Sequence, residues 1–251
     1  TGEITGGLGD VRDAEPSYDG TKVVFAMHEP LIEGADEEDQ PTWNIWEYDL
    51  PSRTLRRGIP SEIIAGEGRD VAPHFLPDGR IVFASTRQRQ SRAILLDEGK
   101  PQFEAQDEDR REPAFVLHVM EADGSDIHQI SFNQRHDLEP HVLDDGRIVF
   151  SRWDNPGRQT EIHLYAVRPD GTGLELLYGA QSHMTGTNGS EVHFLDPRPM
   201  QNGQILVRAQ PFSAEDFGGE LLAIDTVNYV EDTQANLANT GVLSGPAQQP
   251  A

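Results

Sequence analysis

The chain has 251 residues, of which 36% are hydrophobic and 25% charged, and a formal net charge of −23. Only 20 residues are Lys or Arg against 43 Asp or Glu, which excludes the clustered basic surface needed to hold nucleic-acid phosphates. There is no cysteine, so disulfides, thiolate nucleophiles, Cys-ligated zinc and covalent attachment of a c-type haem are excluded for this chain.

No stretch approaches the roughly 18 apolar residues of a membrane helix, so no membrane insertion is expected, and the first residues lack the apolar core of a signal peptide. The 24 Gly and 17 Pro point to frequent turns and short strands. In chain order, "TGEITGG" reads as the last strand of a preceding repeat. Three segments then superimpose: "DAEPSYDGTKVVFA" from Asp13, "DVAPHFLPDGRIVFAS" from Asp70 and "DLEPHVLDDGRIVFSR" from Asp137. Each reads Asp-x-x-Pro, a short link, Asp-Gly, and an apolar triplet ending in Phe. A fourth copy, "VHFLDPRPMQNGQILV" from Val192, has Asn202-Gly203 at the turn.

Each copy is followed by a further apolar run. These are "WNIWEYDLPSRTLRR" from Trp43, "FVLHVMEADGSDIHQIS" from Phe115, "EIHLYAVRPDGTGLELLY" from Glu161 and "GELLAID" from Gly219. The unit is strand, tight turn, strand, loop, strand, turn, strand. Pro16, Pro73 and Pro140 cannot donate a ladder hydrogen bond and are expected to hold the preceding residue extended at a strand start. Asp-Gly and Asn-Gly supply the positive φ of hairpin turns. The triplets Val23–Phe25, Ile81–Phe83 and Ile148–Phe150 show no alternation, as in strands buried on both faces.

Four-stranded antiparallel sheets repeated in series describe an all-β propeller. The expected organisation is a propeller segment over residues 1–230, with blades near 12–66, 70–133, 137–180 and 190–230 and an irregular extension over 231–251. About four blades suggest part of a larger ring. Two charged insertions, 28–41 and 87–113, fall between the second and third strands of their blades and should emerge on one rim. The second carries "AILL" (93–96) and Phe103, which suit docking either on a partner or on the insertion's own blade.

The quoted units "PHFLPDGRIVFAS", "LHVMEADGSDIHQIS" and "LYAVRPDGTGLELLY" resemble the TolB-like branch of WD40-like propeller repeats. The run from Leu95 to Asp154, with "SAEDFGGELLAID" later, is similar to the middle propeller domain of hydrazine synthase alpha subunit-like proteins. That resemblance implies an extracytoplasmic, periplasmic setting and neighbouring domains carrying c-type haem, with protein partners or further domains of the same polypeptide. It implies no cofactor in this chain, and hydrazine chemistry is not carried over because no Cys-x-x-Cys-His is present.

The densest cluster of polar side chains lies at "HDLEPH". His136, Glu139 and His141 offer ligand types that suit Zn²⁺. Side chains on an extended segment alternate in direction, however, and most of these positions recur. Asp137 aligns with Asp13 and Asp70, Asp145 with Asp19 and Asp78, His141 with His74 and Glu139 with Glu15. The segment therefore reads as repeat structure, and His136 stands alone where the other copies have Arg12 and Arg69. A second cluster, His183, Glu191 and His193 in "SHMTGTNGSEVH", has no recognised ligand spacing and reads as a rim loop. The acidic run "ADEEDQ" (35–40) lacks the ordered ligand spacing and glycine of an EF-hand loop. Trp43, Trp46 and Trp153 read as packing residues.

No Gly-x-Ser-x-Gly elbow, Gly-x-Gly-x-x-Gly or Walker loop occurs. No catalytic, cofactor-binding or metal residue is assigned on sequence grounds. The expected role is a non-catalytic scaffold or interaction propeller, and the alternative is a propeller that gates or completes an enzyme's active site.

Overall fold

A computed structural model describes residues 6–36, 39–101, 104–107, 109–154, 161–211, 219–236 and 246–251. The chain divides into two compact units, residues 1–132 and 133–251. Each holds two four-stranded antiparallel sheets, the blades of the repeat.

In the first unit, blade 1 runs β1 (Asp10–Pro16), β2 (Lys22–His28), β3 (Asn44–Asp49) and β4 (Thr54–Arg57). Blade 2 runs β5 (Asp70–Phe75), β6 (Ile81–Ser85), β7 (Val116–Met120) and β8 (His128–Gln129). The four-residue helix α1 (Glu62–Ala65) links the blades, and α2 (Arg89–Asp97) lies in the long insertion. In the second unit, blade 3 runs β9 (Asp137–Val142), β10 (Ile148–Asp154), β11 (Glu161–Val167) and β12 (Glu175–Tyr178). Blade 4 begins with β13 (His193–Pro199), β14 (Ile205–Gln210) and β15 (Glu220–Ile224).

The fourth strand of blade 4 differs from the sequence expectation. A small hairpin, β16 (Tyr229–Glu231) and β17 (Gln234–Ala235), stands apart, and β18 (Gln248–Pro250) pairs with β15. Thus 231–251 is not wholly irregular, because its last residues supply the outer strand that an apolar-run search passes over in "QQP". The segment 1–5, Phe103 and part of "ADEEDQ" lie outside the described residues.

The apolar triplets are the core. Val24, Ile81, Val82, Phe83, Ile148, Val149 and Phe150 have essentially no exposure. In the first unit, Val24, Ile45, Phe75, Ile81, Phe83 and Met120 form one cluster across both blades. In the second, Val149, Leu164, Tyr178, Phe194, Val207 and Ile224 do the same. The turns follow the sequence expectation. Asp19, Asp78, Asp145 and Asn202 each accept the backbone N–H two residues on, at 3.0–3.1 Å. Gly146 sits at φ 82° with open space around a would-be Cβ, so an alanine there meets backbone strain alone.

Strand register corrects the repeat alignment. Arg12, Val71, Leu138 and Leu195 each precede a β-bulge at the same place in their hairpins. The next residues, Asp13, Ala72, Glu139 and Asp196, all take φ of 50–55°. Copy 1 is therefore shifted by two residues. Asp13 corresponds to Ala72 and Glu139, Glu15 corresponds to His74 and His141, and Val11 falls where Asp70 and Asp137 stand. The proline expectation also changes. Ala72, Glu139 and Asp196 precede proline yet are left-handed, because the bulge, which re-aims the strand, outweighs the usual preference for an extended residue there.

The bulges join neighbouring blades within each unit. In the first, Oδ2 of Asp13 accepts the backbone N–H of Ala72 at 2.9 Å. In the second, Oε2 of Glu139 accepts that of Asp196 at 2.5 Å. One bulge carboxylate thus satisfies the bulge N–H of the next blade.

A histidine cluster as the candidate functional site

Counting ten residues back from each turn glycine gives Asp10, Arg69, His136 and His193. His136 is therefore not a lone histidine, since blade 4 carries His193 at the same place, and its counterpart in blade 1 is Asp10 rather than Arg12. The structure sends the three "HDLEPH" candidates to different partners. His136 stacks on Trp153 with ring centroids 5.7 Å apart and planes within 4°. The guanidinium of Arg135 lies 5.5 Å from the same Trp153 ring. Glu139 binds the Asp196 backbone and lies 3.7 Å from Arg208. His141 places Nε2 3.7 Å from Oδ1 of Asp196, and this interaction is the largest cause of the lowered pKa of Asp196.

The buried polar convergence in the second unit lies instead around His183. Its loop is closed on itself: Val192 N–H donates to the His183 carbonyl at 2.7 Å and Gly186 N–H to Ser190 at 3.0 Å. A Cβ at Gly186 would lie 2.5 Å from Ser190 Oγ and 2.6 Å from a Val192 methyl, so the loop closes only around glycine. Ser182 anchors the loop through its hydroxyl, which donates to buried Glu231 at 2.7 Å. Gln248 of β18 adds a bond of 2.9 Å to Thr185. The position of His183 is thereby fixed from several sides.

Three imidazoles meet there. Nδ1 of His183 is 2.6 Å from the Val192 carbonyl, and Nε2 is 2.8 Å from Nδ1 of His163 on β11. A carbonyl only accepts, so His183 carries its proton on Nδ1, and its Nε2 lone pair accepts from His163. Nδ1 of His193 accepts the backbone N–H of Ile162 at 3.2 Å. The rings of His163 and His193 lie 4.8 and 5.2 Å from that of His183. Glu161 approaches His163 at 3.8 Å and Glu191 approaches His193 at 3.9 Å.

All three histidines are buried. Burial, followed by the electrostatic influence of neighbouring His183, lowers His163 to about 4. Burial, then His183 and His163, lowers His193 to about 4 as well. Burial thus keeps His163 and His193 neutral at pH 7. Glu161, His163 and His183 each place one ligand-type atom within 4.8 Å of the others.

Sequence reading found His183, Glu191 and His193 but left them in a rim loop, and it missed His163 altogether. His163 sits inside the apolar run "EIHLYAV", opposite Arg152. Only strand pairing brings it to a loop 20 residues on. The retrospective signal is that the equivalent third-strand positions hold Asn44 and Val116, opposite Met27 and Ser85.

Among the described residues, no helix is long and apolar enough to cross a membrane. No family model matches the chain. The uncharacterized protein Atu1656 of Agrobacterium fabrum is 25% identical over 152 residues, covering 57% of this chain and 44% of that protein. Among solved structures, Kuenenia stuttgartiensis hydrazine synthase is similar with a TM-score of 0.63 and 16% identity, over 87% of this chain and 31% of that one. TolB from Acinetobacter baumannii gives 0.55 and 12%, over 87% and 41%. A puromycin hydrolase gives 0.52 and 14%, over 87% and 30%. The chain spans less than half the length of each of these proteins. What the three solved structures share with it is the fold, a TolB-like β-propeller, of which this chain holds four antiparallel four-stranded blades.

Proposed function

We infer that this chain is a non-catalytic interaction propeller that holds protein partners, or other domains of its own polypeptide, in an extracytoplasmic assembly. The observation that carries the reading is helix α2 in the insertion of blade 2. A nine-residue helix is marginal alone, and this one is held by its surroundings. Ser91 donates to Gln129 at 2.8 Å, and Gln90 accepts the Gln129 backbone N–H at 2.8 Å. Buried Gln88 ties down both flanks of the insertion through Ala105 and Ala114 at 2.7–3.0 Å. Despite this anchoring no residue of α2 is buried, and Ile94 and Leu96 remain 43% and 63% exposed.

The insertion therefore docks on its own blade through polar groups and leaves apolar side chains facing outward, as an interaction element does. The extracytoplasmic setting and a haem-bearing neighbourhood come from the resemblance to hydrazine synthase alpha subunit-like proteins. The likeness to puromycin hydrolase supports the alternative, a propeller that gates an active site, through the fold alone.

The test is site-specific photo-crosslinking in the source cells from position 96, with exposed Tyr18 as the comparison position. The reading expects a discrete protein or domain product from position 96 that is reduced when Ile94 is changed to Asp. Equal yields from both positions would contradict it.

A further inference from the structure

The hydrogen bond between His163 and His183 uses a donor set with a second capability. Two imidazoles and a carboxylate, each with one ligand atom within 4.8 Å of the others, match the nitrogen and oxygen preferences of first-row divalent cations. The bond from His183 Nδ1 to the Val192 carbonyl supplies the outer contact that a metal-ligating imidazole requires. It fixes the tautomer and aims the Nε2 lone pair inward.

The cluster is chemically unlike its counterpart in the first unit. The position of His163 is filled there by Asn44, whose amide donates to the Thr42 carbonyl at 3.1 Å. The side chain of Glu161 is 22% exposed, leaving an approach from solvent. A net charge of −23 also enriches cations at the surface.

We propose that Glu161, His163 and His183 bind a divalent transition-metal cation of the Zn²⁺ class, which cross-links β11 of blade 3 to the segment leading into blade 4. Nε2 of His183 has one lone pair and cannot accept from His163 and hold a cation at once. Binding therefore replaces that hydrogen bond with two metal–nitrogen bonds. The ring of His193 packs 5.2 Å from that of His183 and forms one wall of the site. The role is structural and does not depend on whether α2 binds a partner.

The 251-residue chain, without a polyhistidine tag and stripped with chelator, is titrated with Zn²⁺ by calorimetry and with Co²⁺ by visible absorption. One equivalent should bind with a Kd on the order of micromolar or tighter. Glu161→Gln should weaken binding at least about tenfold and His183→Gln should abolish it, whereas His128→Gln should leave it unchanged. If His183→Gln does not fold, X-ray absorption of the Zn²⁺-loaded native chain serves instead, and should show two imidazole ligands at about 2.0–2.1 Å. Failure of the native chain to bind, binding unaffected by Glu161→Gln, or a coordination shell without imidazole would each overturn the proposal. Crosslinking from position 96 is expected to be the same with and without the cation, so the two readings fail separately.

Discussion

The two units share a plan and differ at the junction between their blades. In the first, the place equivalent to the histidine cluster is closed by backbone and a hydroxyl: Asp70 N–H donates to the Trp43 carbonyl at 2.9 Å and the Thr42 hydroxyl to Gly68 at 3.0 Å. In the second, the equivalent place is closed by imidazoles, with Ile162 N–H on His193 and His163 on His183, itself held by Val192. Amides and hydroxyls keep one protonation state as pH falls from about 7 to about 4, whereas an imidazole can take up a proton. The same blade geometry is therefore fastened in one unit by groups that do not titrate and in the other by groups that do.

The largest expected effect is on acid stability. His163 and His193 stand at about 4 in the folded chain against 6.5 for a free imidazole. Between those values the unfolded chain binds more protons, so stability is present above pH 6.5 and is lost as pH falls to about 4. Each histidine contributes on the order of 3 kcal/mol. In the first unit His118, lowered to about 3 by burial, acts in the same direction. Asp70 is raised by burial against the pull of Arg87 and acts in the opposite direction, gaining as pH falls. Hydrogen exchange at pH 7.5 and 4.5, corrected for intrinsic rates, should show β11 losing more protection than β2. Equal losses would break the contrast.

Core substitutions should not distinguish the units. Phe83 and Phe150 occupy equivalent, fully buried positions, so Phe83→Ala and Phe150→Ala should each lower stability by about 3–5 kcal/mol in urea titrations. A difference above about 1.5 kcal/mol would mean the blades are not equivalent in packing. The bulge clasps come next. Asp13→Ala and Glu139→Ala each remove the acceptor of a neighbouring bulge N–H and should cost about 1–3 kcal/mol. No loss in either would show that the N–H finds another partner. Smallest is Gly146→Ala, about 1 kcal/mol from positive φ alone.

The fold was legible because its signals are local. Asp-Gly turns, unalternating Ile-Val-Phe triplets and their recurrence specify hairpins and buried strands without long-range knowledge. The register of copy 1 was not. "DAEP" matches "DLEP" in letters, yet the hairpin to Gly20 is two residues shorter, and only paired strands show that Asp13 plays the part of Glu139. The outer strand Gln248–Pro250 was hidden because an edge strand needs backbone pairing and little apolar content. The histidine cluster was half visible: His183 and His193 share a loop, while His163 reaches them only through the pairing of β10 with β11. The segment that looked most like a site, His136 to His141, spreads its polar groups over Trp153 and Asp196.

The central claim is that buried imidazoles with assigned protons close the second unit's junction. It is tested most directly by imidazole ¹H–¹⁵N correlation spectra of the metal-free chain between pH 7.5 and 4, resonances being assigned with His163→Gln and His193→Gln. The account predicts His183 as the Nδ1–H tautomer and His193 as the Nε2–H tautomer, with His163 and His193 unprotonated until about pH 4. Titration of His163 and His193 near 6.5, or mixed tautomers at His183 and His193, would contradict it.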